Sequence, residues 1–243
     1  MKNEVLENLK QVIARIEIAC EKFGRKPEDV KLLLATKTVD TERIKIVLNA
    51  GQTLIAENKV QELKEKYEDL LDTPHTSHFI GHLQTNKIKE ILKYGVSCVE
   101  SLDRLDLAEK LQNRLELEDK TINVFIQVNT SFEESKFGIA PESALELVRA
   151  VSELDRIKIK GLMTIGLFSA EAEKVRKCFQ LLKNIQQDII AADLPNVAME
   201  ELSMGMSGDL EIAIQEGATI VRVGTAIFGK RVYPDSYYWN EQK

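Results

Sequence analysis

The sequence predicts a (β/α)8 TIM barrel, an alternating α/β chain closed on itself, as one domain over residues 1–243. Three observations predict it. Short strand-like apolar runs alternate eight times with helical segments, their centres roughly 20 to 40 residues apart, near the size of a βαβ repeat. The chain has 243 residues, against about 250 for a typical barrel of this kind. No stretch reads as a linker, a low-complexity tract or a second domain. The rival arrangement is a doubly wound open sheet, which normally uses about five to seven strands.

Residues 2–23 place Val5, Leu6, Leu9, Val12, Ile13 and Ile16 at helical spacing, with Gly24 as a C-cap, giving an extra helix ahead of the barrel. The barrel then runs over about residues 30–231, with a short tail behind it. Val30–Val39 holds the apolar stretch of the first strand, as expected for a strand covered on both faces. Asp40 or Thr41 caps a helix over Glu42–Ala50, stopped by Gly51. Thr53–Ala56 is the second strand and Lys59–Leu71 its helix; His78–Gly81 is the third, followed by a helix over Gln84–Leu92. Cys98–Ser101 and Leu102–Leu115 form the fourth unit. Ile122–Asn129 is the fifth strand, and its helix opens at Pro141, where proline is tolerated. Ile157–Ile165 and Ala170–Ala192 form the sixth unit, and Asn196–Ser203 and Gly208–Glu216 the seventh. Thr219–Val223 is the eighth strand.

Composition excludes several classes. Hydrophobic residues are 44% and charged residues 30% of the chain, enough for a real core. The 33 Lys and Arg stand against 39 Asp and Glu, a formal net charge of −6. That argues against nucleic acid or an anionic membrane as a partner, since both need clustered cations. Apolar runs such as Gly161–Phe168 fall far short of the roughly 20 residues that span a bilayer. Met1-Lys2-Asn3-Glu4 turns charged at once, unlike a signal peptide. Cys20, Cys98 and Cys178 are odd in number and widely separated. That suits a reducing cytoplasm and offers neither a disulfide framework nor a zinc site. His75, His78 and His82 lack ligand spacing, so no metal is expected.

In such barrels the active site lies at the C-terminal ends of the strands, and phosphate is often held by the loops after strands 7 and 8. Lys37 ends strand 1. A desolvated lysine has a lowered pKa and attacks aldehydes; the alternative is a snorkelling side chain. Glu57 and Asn58 end strand 2, either as a turn pair or as polar groups at the barrel mouth. His82 follows strand 3, an acid-base group, a stacking platform or a plain loop residue. Lys136 adds a cation after strand 5, in a loop with a possible capping box from Ser131 to Glu134. After strand 7, Ser203, Met204, Gly205, Met206, Ser207 and Gly208 offer hydroxyls and backbone N–H groups to an anion, although Ser207 also reads as a helix N-cap. Strand 8 contributes Arg222, Gly224 and Thr225. Closure makes strand 8 the neighbour of strand 1, so Lys37 and Arg222 flank one pocket. A reactive lysine, a phosphate cradle and an arginine for a ring nitrogen describe a pyridoxal 5′-phosphate (PLP) site. A class I aldolase would also use the lysine and the phosphate cradle, but would not need Arg222.

The stretches LLLATKTVD, AENKVQE, HFIGHLQTNK, SKFGI, GLMTIG and ELSMGMSGDLEIAIQEGATIVRVGTAIFG together resemble the pyridoxal phosphate homeostasis protein family, from about residue 5 to residue 231. The resemblance implies the barrel fold of the alanine racemase N-terminal domain. It implies a Schiff base between PLP and Lys37, with Arg222 facing the pyridine nitrogen and keeping it unprotonated. It implies phosphate binding by Ser203, Ser207, Gly224 and Thr225, with Asn58 beside the ring and Met204 in the pocket wall. His82 and Lys136 also fall within the family's motifs, and His82 is counted with the cofactor-binding set. Ala56 departs from the glycine usual at the start of AENKVQE, which bears on the backbone of that turn and not on Asn58.

Alanine racemase needs a β-rich C-terminal domain, which brings a tyrosine base to the partner's site in the dimer. Here residues 224–243 follow strand 8, with Tyr233, Tyr237, Tyr238 and Trp239 among them. The expectation is a cytoplasmic, monomeric, non-catalytic protein. It would buffer PLP and deliver it to apo-enzymes, maintaining vitamin B6 and amino-acid and keto-acid balance. The competing class is a single-domain PLP-dependent amino-acid racemase.

Overall fold

The computed structural model describes residues 2–167 and 169–229. Its eight strands are parallel and hydrogen-bonded in chain order around a closed barrel. They are β1 (Lys31–Ala35), β2 (Leu54–Glu57), β3 (Thr76–Phe79), β4 (Val96–Leu102), β5 (Ile122–Gln127), β6 (Ile157–Met163), β7 (Val197–Ser203) and β8 (Ile220–Val223). Closure pairs β1 with β8 through Lys31↔Ile220, Leu32↔Val221, Leu33↔Arg222 and Leu34↔Val223, which excludes the open sheet. The tail residues Tyr233, Tyr237, Tyr238 and Trp239 lie outside the described residues.

The outer layer follows the expected alternation. Helix α1 (Lys2–Lys22) precedes the barrel; α2 (Thr41–Asn49), α3 (Val60–Leu70), α4 (Ile88–Lys93), α5 (Leu105–Leu117), α6 (Ala144–Ser152), α7 (Ala172–Ala191) and α8 (Leu210–Gln215) follow successive strands. Of the two candidate caps for α2 it is Asp40 whose carboxylate accepts from the Arg43 N–H, at 2.9 Å. Helix α4 starts later than expected, after a 3-10 turn at Thr85–Lys87. Thr85 and Asn86 have short polar side chains, a type that competes with helical backbone bonding. Pro141 opens a 3-10 turn, Pro141–Ser143, and α6 starts behind it. The Ser131–Glu134 stretch is a loop without a helix, so no capping box forms. The Asn129 side-chain amide instead donates to the carbonyls of Glu133 and Lys136, and Phe132 takes φ 58°. A short final helix, α9 (Thr225–Phe228), had no counterpart in the sequence reading.

Two apolar cores result. The barrel interior holds Leu33, Ala56, Cys98, Phe125, Met163 and Ile220. A larger core lies between the sheet and the helices. Val5, Leu9, Val12 and Ile16 of α1 join that larger core. Fixed bonds tie the same helix to the end of the barrel. Arg15 pairs with Glu211 at 2.7 Å and donates to the Ser207 carbonyl at 3.0 Å, and Asn8 donates to the Ile227 carbonyl at 3.1 Å. The leading helix therefore braces the β7 and β8 loops. The three cysteines are buried and free, and among the described residues no helix is long and apolar enough to cross a membrane.

Candidate functional site

The site is built where the strands run out. Lys37 stands two residues beyond β1 and is half-buried. Arg222, opposite Leu33 in the register, points into the barrel and is 5% exposed. Its Nη1 donates to Ser203 Oγ at 2.9 Å and its Nη2 to the Thr164 carbonyl at 2.7 Å. Ser203 Oγ in turn donates to Glu100 Oε2 at 2.5 Å, and Glu100 Oε1 is hydrogen-bonded to His78 Nδ1 at 2.6 Å. A buried chain of four side chains thus crosses the barrel from β3 to β8. Burial lowers the Arg222 pKa, opposed by the charges of Glu100 and Asp209. A guanidinium starts so high that it stays protonated.

Ser207, Gly224 and Thr225 come together beside this chain. The Thr225 hydroxyl and the Ala226 N–H both donate to Ser207 Oγ at 3.4 Å. Asp209, not Ser207, stands at the N-cap position of α8, but its side chain makes no capping bond to the helix: Asp209 Oδ1 accepts instead from the Met206 N–H of the preceding turn, and burial raises the Asp209 pKa. Gly224 is required by close approach, since a Cβ there would lie 2.9 Å from the Ala35 carbonyl oxygen of β1. Two hydroxyls and the Ala226 N–H at the start of α9 thus lie together, a donor set that suits an anion.

Two expected site residues sit elsewhere. Ser203 is 0% exposed with its hydroxyl committed in both directions, beneath Arg222 rather than beside Ser207. The side chain of Met204 belongs to the core between sheet and helices, not to a wall of the barrel mouth. Both follow from alternation along β7: Leu202 packs outward, so Ser203 turns in and Met204 out. Gly205, at φ 90°, then redirects the chain toward Ser207.

Asn58 follows β2, its carbonyl pressed against Gly81. Ala56, in place of the family's glycine, is an ordinary strand residue facing the interior. His82 stacks on Phe137 with ring centroids 4.0 Å apart and planes at 19°. Its Nδ1 is buried without a hydrogen-bond partner among the described residues, 3.9 Å from Asp103 Oδ2. Lys136 Nζ donates to the Gly166 carbonyl at 2.7 Å and pairs with Glu133. It ties the β5 and β6 loops together.

The sequence reading missed Glu100, His78 and Thr164 as supports for Arg222. A signal existed for Glu100, a carboxylate inside the apolar run of β4. It also missed Lys66, 8% exposed, whose Nζ donates to Glu57 Oε1 at 2.8 Å, Glu62 Oε2 at 2.5 Å and the Thr36 carbonyl at 2.9 Å. Burial pushes the Glu57 pKa up to about 7 against the pull of Lys66. The folded protein therefore holds this proton more tightly than the unfolded chain, where the ordinary value is 4.5. The resulting stabilisation is full below 4.5 and is lost as pH rises through about 7. Melting temperatures measured from pH 4.5 to 8 should therefore fall with rising pH more steeply for the wild type than for Glu57→Gln. Parallel curves would refute the assignment.

The fold and site define a closed parallel barrel with a lysine beyond the first strand and an inward arginine on the last. Residues 8–232 match the family model described as alanine racemase, N-terminal domain. Over 227 residues the chain is 44% identical to the pyridoxal phosphate homeostasis protein of Aquifex aeolicus, covering 93% of this chain and 98% of that one. The chain belongs to the pyridoxal phosphate homeostasis protein family. Among solved structures, an unknown protein from Bifidobacterium adolescentis is 39% identical with a TM-score of 0.88, over 93% of this chain and 95% of that one. PipY of Synechococcus elongatus, solved with PLP bound, is 30% identical with a TM-score of 0.78, over 88% of this chain and 100% of that one.

Proposed function

We propose that this chain binds PLP on Lys37 and acts as a carrier, buffering the cofactor and delivering it to apo-enzymes, without catalysing turnover. What supports the reading is the pairing of β1 with β8, which puts the turn of Lys37, two residues beyond β1, at the same end of the barrel as the Ser207 and Thr225 hydroxyls that follow β7 and β8, with Arg222 on β8 between them and the barrel interior. PLP supplies an aldehyde that condenses with amines and a ring that can accept electrons.

Each residue takes a role suited to its chemistry. The Lys37 amine holds the aldehyde carbon as a Schiff base, with loss of water. The Ser207 and Thr225 hydroxyls and the N–H groups of α9 hold the phosphate, and Gly224 keeps that turn close to β1. Arg222 faces the ring nitrogen. It is held through both Nη atoms, and a guanidinium does not release a proton, so it would leave the ring nitrogen unprotonated. An unprotonated ring is a poor electron sink, which favours holding the cofactor over carbanion chemistry. Ser203 and Glu100 keep the guanidinium in place. Asn58 and His82 border the ring from the β2 and β3 loops, and Met204 supports the β7 turn from the outer core. Exchange of Lys37 for another amine releases the cofactor without further chemistry, as delivery requires. PLP and, transiently, apo-enzymes are the partners on this reading.

Borohydride reduction of the PLP-loaded protein, followed by peptide mapping, should find the pyridoxyl-phosphate adduct on Lys37. A yellow protein with Lys37 unmodified would overturn the assignment. Incubation with L-alanine and other L-amino acids should leave chirality unchanged. Racemisation that disappears in Lys37→Ala would establish the racemase alternative instead.

A further inference from the structure

The Lys37 turn is held on both sides by one cluster of ionisable side chains, buried at Glu57 and Lys66 and partly buried at Glu62. Thr36, immediately before Lys37, accepts at its carbonyl from Lys66 Nζ at 2.9 Å and donates its hydroxyl to Glu57 Oε1 at 2.6 Å. Thr38, immediately after it, donates its N–H to Glu62 Oε2 at 3.0 Å. Lys66 bridges the two carboxylates, at 2.8 and 2.5 Å. Thr38 has φ 66°, a left-handed conformation that a β-branched residue adopts only when its surroundings dictate it. The clamped residues on either side are thus the two peptide units that aim Lys37.

We propose that Glu57, Glu62 and Lys66 are positioning residues that clamp the Lys37 turn in the geometry needed for its amine to take up an aldehyde. This rests on the reading of Lys37 as the PLP anchor. Stability alone is a weak reason for such a cluster, because a buried ion pair often does no better than apolar side chains of similar volume. Its placement is the stronger reason. Lys66 spends a hydrogen bond on the backbone of the Lys37 turn, and Glu62 spends one on the far side of the same turn. Glu57 Oε2 has no partner among the described residues, and Glu57 and Lys66 line a cavity of about 270 Å³ between α3 and strands β2 and β3. The cluster is therefore not sealed in apolar packing.

The test compares Glu62→Ala and the double variant Glu57→Gln/Lys66→Met with the wild type. The double variant removes the buried Glu57–Lys66 pair together; the Glu62 carboxylate that it leaves without Lys66 is partly open to solvent. PLP is added to the purified apo-protein. Loading is followed by the visible absorbance of the bound cofactor across a pH series, and by borohydride labelling of Lys37. Circular dichroism and melting establish which variants are folded. Folded variants should load Lys37 at least about tenfold more slowly, with an altered pH profile, since small misplacements of a reacting group carry penalties of that size. Wild-type rates and an unchanged pH profile in a folded variant would overturn the proposal. If the double variant fails to fold, Glu62→Ala decides, because Glu62 is only partly buried. If instead the wild type takes up PLP without labelling Lys37, the anchor reading fails and the clamp falls with it.

Discussion

Arg222→Met is expected to lower stability by about 3–5 kcal/mol, because it leaves Glu100 as a buried charge without its cation. For a chain of this size that corresponds to a fall in melting temperature of about 6–20 °C. Glu100 is 0% exposed, and its two oxygens face His78 and Ser203. Without Arg222 the Ser203 hydroxyl loses its donor and the Thr164 carbonyl loses a bond of 2.7 Å. Glu100→Leu should be costly for the mirror reason, stranding a guanidinium inside the barrel. The decisive measurement is the double-mutant cycle. Removing both charges takes away the desolvation penalty together with the attraction, so the double variant should cost clearly less than the two single changes added, by about 1–3 kcal/mol. Strict additivity in urea unfolding would mean that the chain across the barrel carries no coupling. Arg222 would then be held by packing alone.

The cycle also bears on what could be read from the sequence. Lys37 and Arg222 stood out because each is a cation attached to an otherwise apolar strand, and a buried ion is costly unless it has a task or a partner. The same logic applies to Glu100 within VSCVESL and to Lys66 on α3, yet neither could be connected to its partner. Glu100 and Ser203 are 103 positions apart and meet only because the barrel closes. Lys66 reaches Glu57 around a strand-to-helix turn, a geometry that no periodicity encodes. The strand order followed from counting apolar runs, since eight such runs with helical spacers leave few ways to cover every face. Loop chemistry did not follow. Ser203 and Ser207 look alike as text, but Gly205 at φ 90° sends one beneath Arg222 and the other toward Thr225. The backbone turn decides which hydroxyl is spent on the protein and which is left for a ligand.

Gly81→Ala should be among the most damaging single-methyl additions in the chain. A Cβ at residue 81 would lie 1.9 Å from the Asn58 carbonyl oxygen and 2.6 Å from its carbonyl carbon. Non-bonded atoms in good contact sit about 3.5–4.0 Å apart. The obstacle is backbone, so no rotamer change can relieve it. The β2 and β3 ends must move apart, which threatens the bond from the Ile80 N–H to the Glu57 carbonyl at 2.9 Å. Overpacking of this kind costs about 1–3 kcal/mol where side chains can yield, and more where they cannot. A loss of about 3 kcal/mol, or about 6–12 °C in melting temperature, is therefore expected. The effect should reach the site as well, because Asn58 and Glu57 move with that turn and Glu57 holds Thr36 beside Lys37. PLP loading of folded Gly81→Ala should be slower than wild type. Gly208→Ala is the matched control, since a Cβ there meets nothing within 4 Å and no positive φ is required of it. Equal melting temperatures for the two variants would show that the β2–β3 approach tolerates a methyl group, and the close packing of Asn58 on Gly81 would lose its place as a determinant of the site.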